Sequence, residues 1–227
     1  MPNIGCDLKS CFLCRNCMRE WIEVVAVKKT TTVFKKGKNI FSEGEVVKGI
    51  YFIYEGSAKI YMQWGKEKEL ILRFAKSGDI LGHRGFGGDH HYPISASALE
   101  DSKVCFIPDD FLSATLKTNS GFTNKLLEVF AADLQKAEKR MRDLAHMEVK
   151  GRIAFALLEI KETFGVDKDK FISVPLLRQD IASYAGTTYE TVFKFFTELT
   201  RKKILTTNGK QIRINNPEAL RKMINYQ

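Results

Sequence analysis

Residues 178–196 read RQDIASYAGTTYETVFKFF, and this stretch decides how the rest of the chain is interpreted. Gly186 lies between two short helical patterns, where it can adopt the positive φ of a tight turn without Cβ strain. Ala182 and Ala185 are small enough to let the two helices approach closely. Three apolar residues recur where each helix would bury its inner face: Ile181, Val192 and Phe195. The pattern predicts a helix-turn-helix of the DNA-binding type, with an ordinary helical hairpin in a core as the alternative.

The outward face of the second predicted helix carries side chains that suit base recognition. A helix-turn-helix places its second helix in the major groove, with the N-terminal residues at base edges. Glu190 can accept a hydrogen bond from cytosine N4, Lys194 can donate to guanine, and Phe193 can contact a thymine methyl group. The residues predicted to face DNA are Thr188, Tyr189, Glu190, Phe193, Lys194 and Thr197.

The segments on either side complete a DNA-binding domain. Residues 152–165, RIAFALLEIKETFG, predict an amphipathic helix after a hinge near Gly151. Residues 202–215 read KKILTTNGKQIRIN, and an Asn-Gly pair between two β-capable runs is a strong hairpin signal. A β-wing is therefore expected after the reading helix. Lys210 and Arg213 are its residues predicted to contact phosphates.

The charge of the chain is consistent with this interpretation. The 227 residues carry a formal net charge of +9. Residues 150–227 hold 14 Lys and Arg against 8 Asp and Glu, a net charge of +6. Positive charge beside a reading helix favours a polyanionic partner, double-stranded DNA, although a basic surface unconnected with DNA is the alternative. No apolar run approaches a membrane span and no signal-peptide pattern is present, so we expect a cytoplasmic protein without a membrane partner.

Residues 31–108 have the pattern of a β-structure. Runs such as YFIY, AKIYMQW, ELILRF and KVCFI are rich in β-branched and aromatic residues and are separated by glycines at intervals typical of a sandwich or barrel. They predict a β-roll of about eight short strands. The longest irregular piece, GDILGHRGFGGDHHYP at residues 78–93, collects glycines, histidines and Arg84. Such a loop on a rigid scaffold is a candidate ligand site.

A helical pattern follows the β-roll. Apolar residues alternate in steps of three and four between charged flanks, which is typical of a coiled-coil seam of about three heptads. The seam predicts a homodimer, while packing on the chain's own β-roll is the alternative. The predicted dimerisation residues are Leu127, Phe130, Leu134, Ala137, Met141 and Leu144.

Taken together, the chain resembles the CRP/FNR family of bacterial transcription regulators. The resemblance rests on FKKGKNIFSEGE and IYFIYEGSAKIY in the β-roll, SGDILG before the ligand loop, ALEDSKVCFIP after it, and DIASYAGTTYETVFK at the reading helix. It implies an α+β protein with a double-stranded β-helix of the cyclic-nucleotide-binding type and a homodimer that regulates transcription with RNA polymerase as a partner. The expected domains are a cysteine-rich head with a short helix (1–30), a sensory β-roll (31–110), a dimerisation helix (111–149) and a winged helix-turn-helix (150–227).

The β-roll departs from the members that bind cyclic AMP. In those members a Glu meets the ribose and an Arg-Ser pair meets the cyclic phosphate. Here the Glu position is similar to His83, and the Arg-Ser position falls near Tyr92 and Pro93, where proline removes a backbone donor. Arg84 and glycine-rich backbone remain as an alternative cradle. We expect no cyclic AMP, and the candidate effector residues are Gly82, His83, Arg84, Tyr92 and Ser95.

Five cysteines favour metal or redox chemistry over a disulfide framework. Oxygen-sensing family members hold an iron–sulfur cluster with three N-terminal cysteines and a fourth from the roll. Here the spacing differs, but the Cys-x2-Cys-x2-Cys run is close to that of ferredoxin loops. The alternatives are a zinc site in the head, a redox thiol switch, and a head that is merely rich in thiols. The candidate ligands are Cys6, Cys11, Cys14, Cys17 and Cys105.

The sequence thus predicts a regulator that binds DNA and is not an enzyme. Within the resemblance, Glu190 keeps the Glu that contacts bases in relatives, whereas Lys194 replaces an Arg and lacks its planar fork. One rival is a cupin-like enzyme with His83, His90 and His91 as metal ligands. Another is a dimeric DNA-binding protein whose β-roll senses nothing.

Overall fold

The short runs of β-branched and aromatic residues in the first half of the chain form eight strands, as the sequence predicts. A computed structural model describes residues 11–65 and 68–224, so the candidate ligand Cys6 lies outside the described residues. The strands are β1 (Thr30–Phe34), β2 (Asn39–Phe41), β3 (Gly49–Glu55), β4 (Ser57–Trp64), β5 (Lys68–Lys76), β6 (Ile80–Leu81), β7 (Ser95–Ala98) and β8 (Ser102–Pro108).

These strands form two four-stranded sheets with the orders β1-β8-β3-β6 and β2-β7-β4-β5. β8 pairs antiparallel with β1 and β3, which places Cys105 opposite Thr31 on one side and Phe52 on the other. β7 pairs antiparallel with β2 and β4, and all four of its residues are buried. In both sheets, most strands that are neighbours in space are not consecutive in the chain, as in a β-roll. The predicted α+β fold class is confirmed.

The cysteine-rich head packs on the roll through two helices, α1 (Phe12–Asn16) and α2 (Arg19–Lys28). The short α1 is not predicted by the sequence, whereas α2 is. Two further helices, α3 (Asp109–Thr118) and α4 (Ser120–His146), follow β8. The indole of Trp21 stacks on Phe111 of α3 with ring centroids 5.9 Å apart, and its Nε1 donates to Thr115 Oγ1 over 3.0 Å. Residues of the head therefore share one hydrophobic core with the strands and with the start of α4.

The last third of the chain folds as a winged helix-turn-helix. Its strands pair antiparallel with Asn208 opposite Gln211, so the predicted hairpin is present but its two turn residues are Gly209 and Lys210, and Asn208 is the last residue of the first strand. The elements are α5 (Val149–Phe164), α6 (Arg178–Ala185), α7 (Tyr189–Arg201), β9 (Leu205–Asn208), β10 (Gln211–Ile214) and α8 (Pro217–Ile224).

Gly151 does not form the hinge that the sequence suggests. It is buried inside α5, where a Cβ would come within 2.8 Å of the Met223 carbonyl oxygen. The helical break falls earlier, between the end of α4 at His146 and the start of α5 at Val149. The glycine is therefore needed for the close approach of α8 to α5.

The chain divides into two compact units, Met1–Gln63 with Ala75–Gln135, and Trp64–Phe74 with Lys136–Gln227. The boundaries expected from the sequence follow changes of secondary structure, whereas this division passes through β5 and α4. Within the second unit, Phe74 of β5 contacts the rings of Phe164 and Tyr184. None of the described helices is both long and apolar enough to cross a membrane.

Candidate DNA-binding interface and sensory site

The turn between α6 and α7 has the geometry of a tight helix-turn-helix. Gly186 ends α6 in the left-handed conformation, with φ +62°, and donates its N–H to the Ala182 carbonyl. Thr188 is the N-cap of α7, and its Oγ1 accepts a hydrogen bond from Thr191 N over 3.3 Å. A side-chain acceptor at this position satisfies one of the free N–H groups of the first turn. The start of α7 is thereby fixed at the residues predicted to read bases.

All six predicted reading residues are exposed on α7 or at its N-cap. The rings of Tyr189 and Phe193 stack with centroids 6.2 Å apart and are about half exposed, at 43% and 51%. Thr197 donates its hydroxyl back to the Phe193 carbonyl. Large apolar side chains on a helix face that is otherwise polar and exposed are typical of a binding surface.

Glu190 and Lys194 lie one turn apart beside this aromatic pair. Hydrogen bonds from the Glu190 backbone N–H and from Thr188 hold the pKa of the Glu190 carboxyl below its ordinary value, with a smaller contribution from Lys194. The carboxyl is therefore ionised at neutral pH and can act only as an acceptor. An acceptor and a cationic donor on one exposed face match the edges of cytosine and guanine.

The two predicted phosphate contacts of the wing lie in different environments. Lys210 is exposed at the hairpin tip. The Arg213 guanidinium is half-buried, lies 5.2 Å from the Phe171 ring centroid, and donates to Asn215 Oδ1 and Thr206 Oγ1. Lys210 is thus presented to solvent, whereas Arg213 also holds the wing together. Arg201 and Lys203, which the sequence analysis did not single out, are exposed at the end of α7.

In the roll, the candidate effector residues are engaged with the chain itself. A 3₁₀ helix, His83–Phe86, follows Gly82. His83 is buried, and its Nε2 lies 3.1 Å from Asp133 Oδ2 of α4. Arg84 donates to the same oxygen from Nη2 over 2.8 Å and from Nε over 3.2 Å. The cation that could have held a cyclic phosphate is therefore paired with a carboxylate.

Where the resemblance predicts that a phosphate-binding pair is missing, the structure places a buried aromatic side chain. Tyr92 is buried, its ring stacks on Phe41 with centroids 4.4 Å apart, and its hydroxyl donates to the Gly49 carbonyl over 2.8 Å. Burial raises the pKa of the Tyr92 hydroxyl, so it remains a neutral donor. Ser95 is also buried and accepts the Glu43 N–H at its Oγ. Tyr92 and Ser95 are therefore both engaged in contacts inside the roll.

Three of the candidate ligands meet at one pocket although Cys105 lies far from the head in sequence. Cys11 and Cys14 of the head and Cys105 of β8 line it together with apolar side chains, Tyr54 and Lys29. The three thiols are buried, and so is Lys29, at 7% exposure. Cys17 is half-buried against the same core. None of the four described cysteines forms a disulfide.

The thiols in this pocket differ in acidity. A hydrogen bond with the Cys14 thiol, aided by backbone N–H groups and by the charge of Lys29 and opposed by burial, lowers the pKa of Cys11 to about 6. Burial and the neighbouring Cys11 raise the pKa of Cys17 to about 12. Cys105 Sγ lies 3.6 Å from Thr31 Oγ1. The pocket therefore combines thiolate character with a buried cation.

The residues that line this pocket include thiols of the kind that bind an iron–sulfur cluster. Within residues 11–65 and 68–224, no three His, Cys, Asp or Glu side chains are arranged to hold one metal ion. A tetrahedral zinc site needs its ligands about 2.0–2.3 Å from one centre, whereas an iron–sulfur cluster takes four cysteine thiolates spread over its two or four irons. Cysteines from two chain segments around an apolar pocket with a cation suit the second case. A zinc site that includes Cys6 extends beyond the described residues.

The predicted seam of α4 divides into two sets. Leu127, Leu134 and Met141 are spaced by seven residues and are each about 60% exposed. Ala137 is also exposed. Phe130 is half-buried with its ring 5.2 Å from His83, and Leu144 is half-buried beside Gly186. One heptad stripe is therefore available to a partner, while the other positions also contact their own protomer.

The histidines proposed for a cupin-like enzyme do not converge in the described part of the chain. His83 is paired with Asp133, as above. His91 lies with its Nδ1 2.9 Å from the Asp89 carbonyl oxygen, in a surface loop where His90 has a positive φ of 57°. The arrangement gives this rival no support.

Four residues with specific contacts were missed by the sequence analysis. Asp133 meets His83 and Arg84, and Lys29 lines the cysteine pocket. Arg140 and Arg152 donate to carbonyls at the helix-turn-helix. From the sequence, charged residues of α4 are placed on the flanks of the seam, and Lys29 is not singled out. Only the tertiary fold brings these side chains to their partners.

Comparison with known proteins agrees with both halves of the fold. The cyclic nucleotide-binding domain family matches residues 31–119, and the Crp-like helix-turn-helix domain family matches residues 151–223. The chain is 28% identical over 189 residues to the fumarate and nitrate reduction regulatory protein of Salmonella typhimurium, covering 82% of this chain and 75% of that protein. Identity to the transcriptional activator protein Anr of Pseudomonas protegens is 26%, covering 82% and 77%. The structure of FixK2 from Bradyrhizobium japonicum superposes with a TM-score of 0.77 at 24% identity, covering 88% of this chain and 98% of that chain.

Proposed function

The chain belongs to the CRP/FNR family of DNA-binding transcription regulators, and on this premise we propose that it binds palindromic operators as a homodimer, with α7 of each protomer reading one half-site. The observation that carries the proposal is the exposed face of α7, where Glu190 and Lys194 flank the Tyr189 and Phe193 rings. Its carboxylate, ammonium and aromatic groups can distinguish base pairs in the major groove. RNA polymerase is the expected partner at the promoter, and the cytoplasm is the expected compartment.

Roles within the interface follow from exposure and chemistry. Glu190 and Lys194 specify bases, and the aromatic pair contacts thymine methyl groups. Thr188 and Thr197 flank this face at its two ends. Lys210 and Arg213 contact phosphates, which position a protein on DNA without reading its sequence. Because the Arg213 guanidinium already donates to Asn215 and Thr206, Lys210 is the stronger phosphate contact of the wing.

The exposed stripe of Leu127, Leu134 and Met141 supports dimerisation through α4. Such a seven-residue repeat buries its side chains when a second copy of the helix lies along it. A dimer also supplies the two reading helices that a palindrome requires, with half-sites one helical turn apart. Oligomeric state and operator symmetry are therefore linked.

The signal is sensed by the cysteine pocket, with Cys11, Cys14, Cys17 and Cys105 as ligands of an iron–sulfur cluster. When bound, such a cluster would supply a centre whose charge and integrity respond to oxygen and electron transfer. The chain's own contribution is threefold. Its thiols come from the head and from β8, its apolar side chains exclude water, and the buried Lys29 offsets the negative charge of the thiolates.

The roll does not bind a cyclic nucleotide in this proposal. Support comes from Asp133, which pairs with Arg84, and from Tyr92, which occupies the roll interior. A cyclic phosphate would have to displace the carboxylate and find donors that the buried tyrosine has replaced. Control by the cysteine pocket needs no ligand in the roll.

Two experiments test the two parts separately. Selection of DNA from a random pool by the full-length protein should yield a palindrome with half-sites about 10 bp apart. A pool without symmetry would contradict the homodimeric reading. Protein purified without oxygen should be brown and contain iron and sulfide. Colourless protein with stoichiometric zinc would point to a zinc-binding head, and colourless metal-free protein would leave a thiol switch or a roll that senses nothing.

A further inference from the structure

The C-terminal end of α6 is held by two arginines. The last carbonyls of a helix have no intrahelical partner and carry the negative end of the helix dipole. Arg140 Nη2 donates to the Tyr184 carbonyl. Arg152 donates from Nε to the Ala185 carbonyl over 2.9 Å and from Nη2 to the Gly186 carbonyl over 3.2 Å. Both guanidiniums therefore bind the turn that directs the chain into α7.

Arg140 makes a second contact with the same residue. Its guanidinium carbon lies 4.2 Å from the centroid of the Tyr184 ring, within the range of a cation–π interaction. Tyr184 is buried, and its ring also contacts Phe74 at a centroid distance of 5.0 Å. The aromatic face and the carbonyl of one residue thus define the position of the guanidinium. A lysine could keep the charge but not the planar stack.

Two further contacts tie the end of α4 to the turn. Arg152 Nη1 donates over 2.7 Å to the carbonyl of Met147, the first residue after α4. Leu144 of α4 lies against Gly186, where an added Cβ would come within 2.6 Å of its Cδ2. Arg140 and Leu144 of α4 therefore contact the end of α6 and the turn directly, and Arg152 of α5 links the turn to Met147. α7 begins three residues after Gly186.

We propose that Arg140 is a positioning residue that fixes the turn before the reading helix onto α4, so that the dimerisation helix sets where the two reading helices stand. The inference rests on the proposed homodimer. Arg140 does not touch DNA in this account. It acts through Tyr184, and its effect on affinity appears only on DNA whose two half-sites are bound at the same time.

The test compares binding to a palindrome with binding to a single half-site. Linking two reading helices raises affinity only if their geometry allows both to bind at once. In full-length Arg140→Gln, affinity for the palindrome should fall about tenfold, as expected for a lost charged hydrogen bond, while half-site affinity stays within about twofold. The affinity of this variant should also depend less on the spacing between the two half-sites of a palindrome. Arg140→Lys should retain an intermediate preference.

Controls separate this role from general effects. Lys139→Gln removes the same charge from an adjacent exposed position of α4 and should leave the palindrome to half-site ratio unchanged. Light scattering should show that Arg140→Gln remains a dimer. If that variant does not fold, Tyr184→Leu removes the ring from beneath the guanidinium and should flatten the spacing preference in the same way.

If Arg140→Gln lost equal affinity for the palindrome and for the half-site, or kept the spacing preference of the wild type, the positioning role would be overturned. The proposal of a homodimeric regulator would not be affected. If the wild-type protein itself shows no difference between palindrome and half-site, the proposed homodimeric reading fails as well. The two failures are therefore told apart by the wild-type measurement.

Discussion

Asp133 on α4 accepts from Arg84 and lies 3.1 Å from Nε2 of the buried His83 at the same carboxylate oxygen. This carboxylate thereby joins α4 to the 3₁₀ helix that contains His83 and Arg84. The negative charge beside Arg84 is thus supplied by the chain itself.

Asp133→Ala should destabilise the protein, because it leaves His83 and Arg84 without their carboxylate acceptor at a largely buried position. We expect a loss of about 1–3 kcal/mol in the free energy of unfolding, and a smaller loss for Asp133→Asn, which keeps an acceptor oxygen. Urea unfolding of both variants measures this. Glu138→Gln removes a charge from an exposed site of α4 and serves as the control. Equal stability of Asp133→Ala and wild type would show that the contact contributes nothing.

Leu134→Glu should convert the dimer into monomers, since the exposed heptad stripe would have to bury a carboxylate against its own copy. Removal of a charge from water costs several kcal/mol when no partner compensates it. Gln135→Glu adds the same charge one position away and should remain dimeric. Light scattering distinguishes the two, and a fully dimeric Leu134→Glu would exclude the stripe from the interface.

Cys105→Ser should abolish colour and iron in protein prepared without oxygen, because β8 supplies the ligand that joins the head to the roll. Cys17→Ser should have the same effect. A zinc site built by the head alone predicts a different pair of results, with metal lost from Cys17→Ser and retained by Cys105→Ser. Metal analysis of the two variants, normalised to protein concentration, therefore decides between the two ligand sets.

Titration with cyclic AMP or cyclic GMP should produce no binding heat in calorimetry, and operator affinity should not change. The pairing of Arg84 with Asp133 and the buried Tyr92 are the physical reasons. Tight binding that disappears in Arg84→Gln would contradict this and would mean that the nucleotide displaces Asp133.

Elements whose signal is local could be predicted from the sequence. The exposed and buried positions of α7, the turn at Gly186 and the Asn-Gly hairpin follow from periodicity and backbone preference within a few residues. The eight strands follow for the same reason. The exposed stripe of α4 could also be expected, since a heptad repeat is visible in the chain itself.

Contacts between distant segments could not be predicted in this way. Lys29 and Cys105 meet only after the head has packed on β8, and Arg140 meets Tyr184 only after the helices have assembled. A charged residue in a helix has the same sequence pattern whether it faces water or a carbonyl. The resemblance to a family drew attention to Cys105, but it gave no signal for Lys29, Asp133 or Arg140.

The central claim, that α7 reads DNA, is tested most directly by measuring affinity for all single-base variants of the selected operator at two or more salt concentrations. Glu190→Ala and Lys194→Ala should each cost about 1–3 kcal/mol on the preferred site and flatten discrimination at one base position in each half-site. Lys210→Ala should weaken all sequences about equally and reduce the salt slope by roughly one unit per lost phosphate contact. If the Glu190 and Lys194 variants keep the base preference of the wild type, α7 does not read the operator and the account is contradicted.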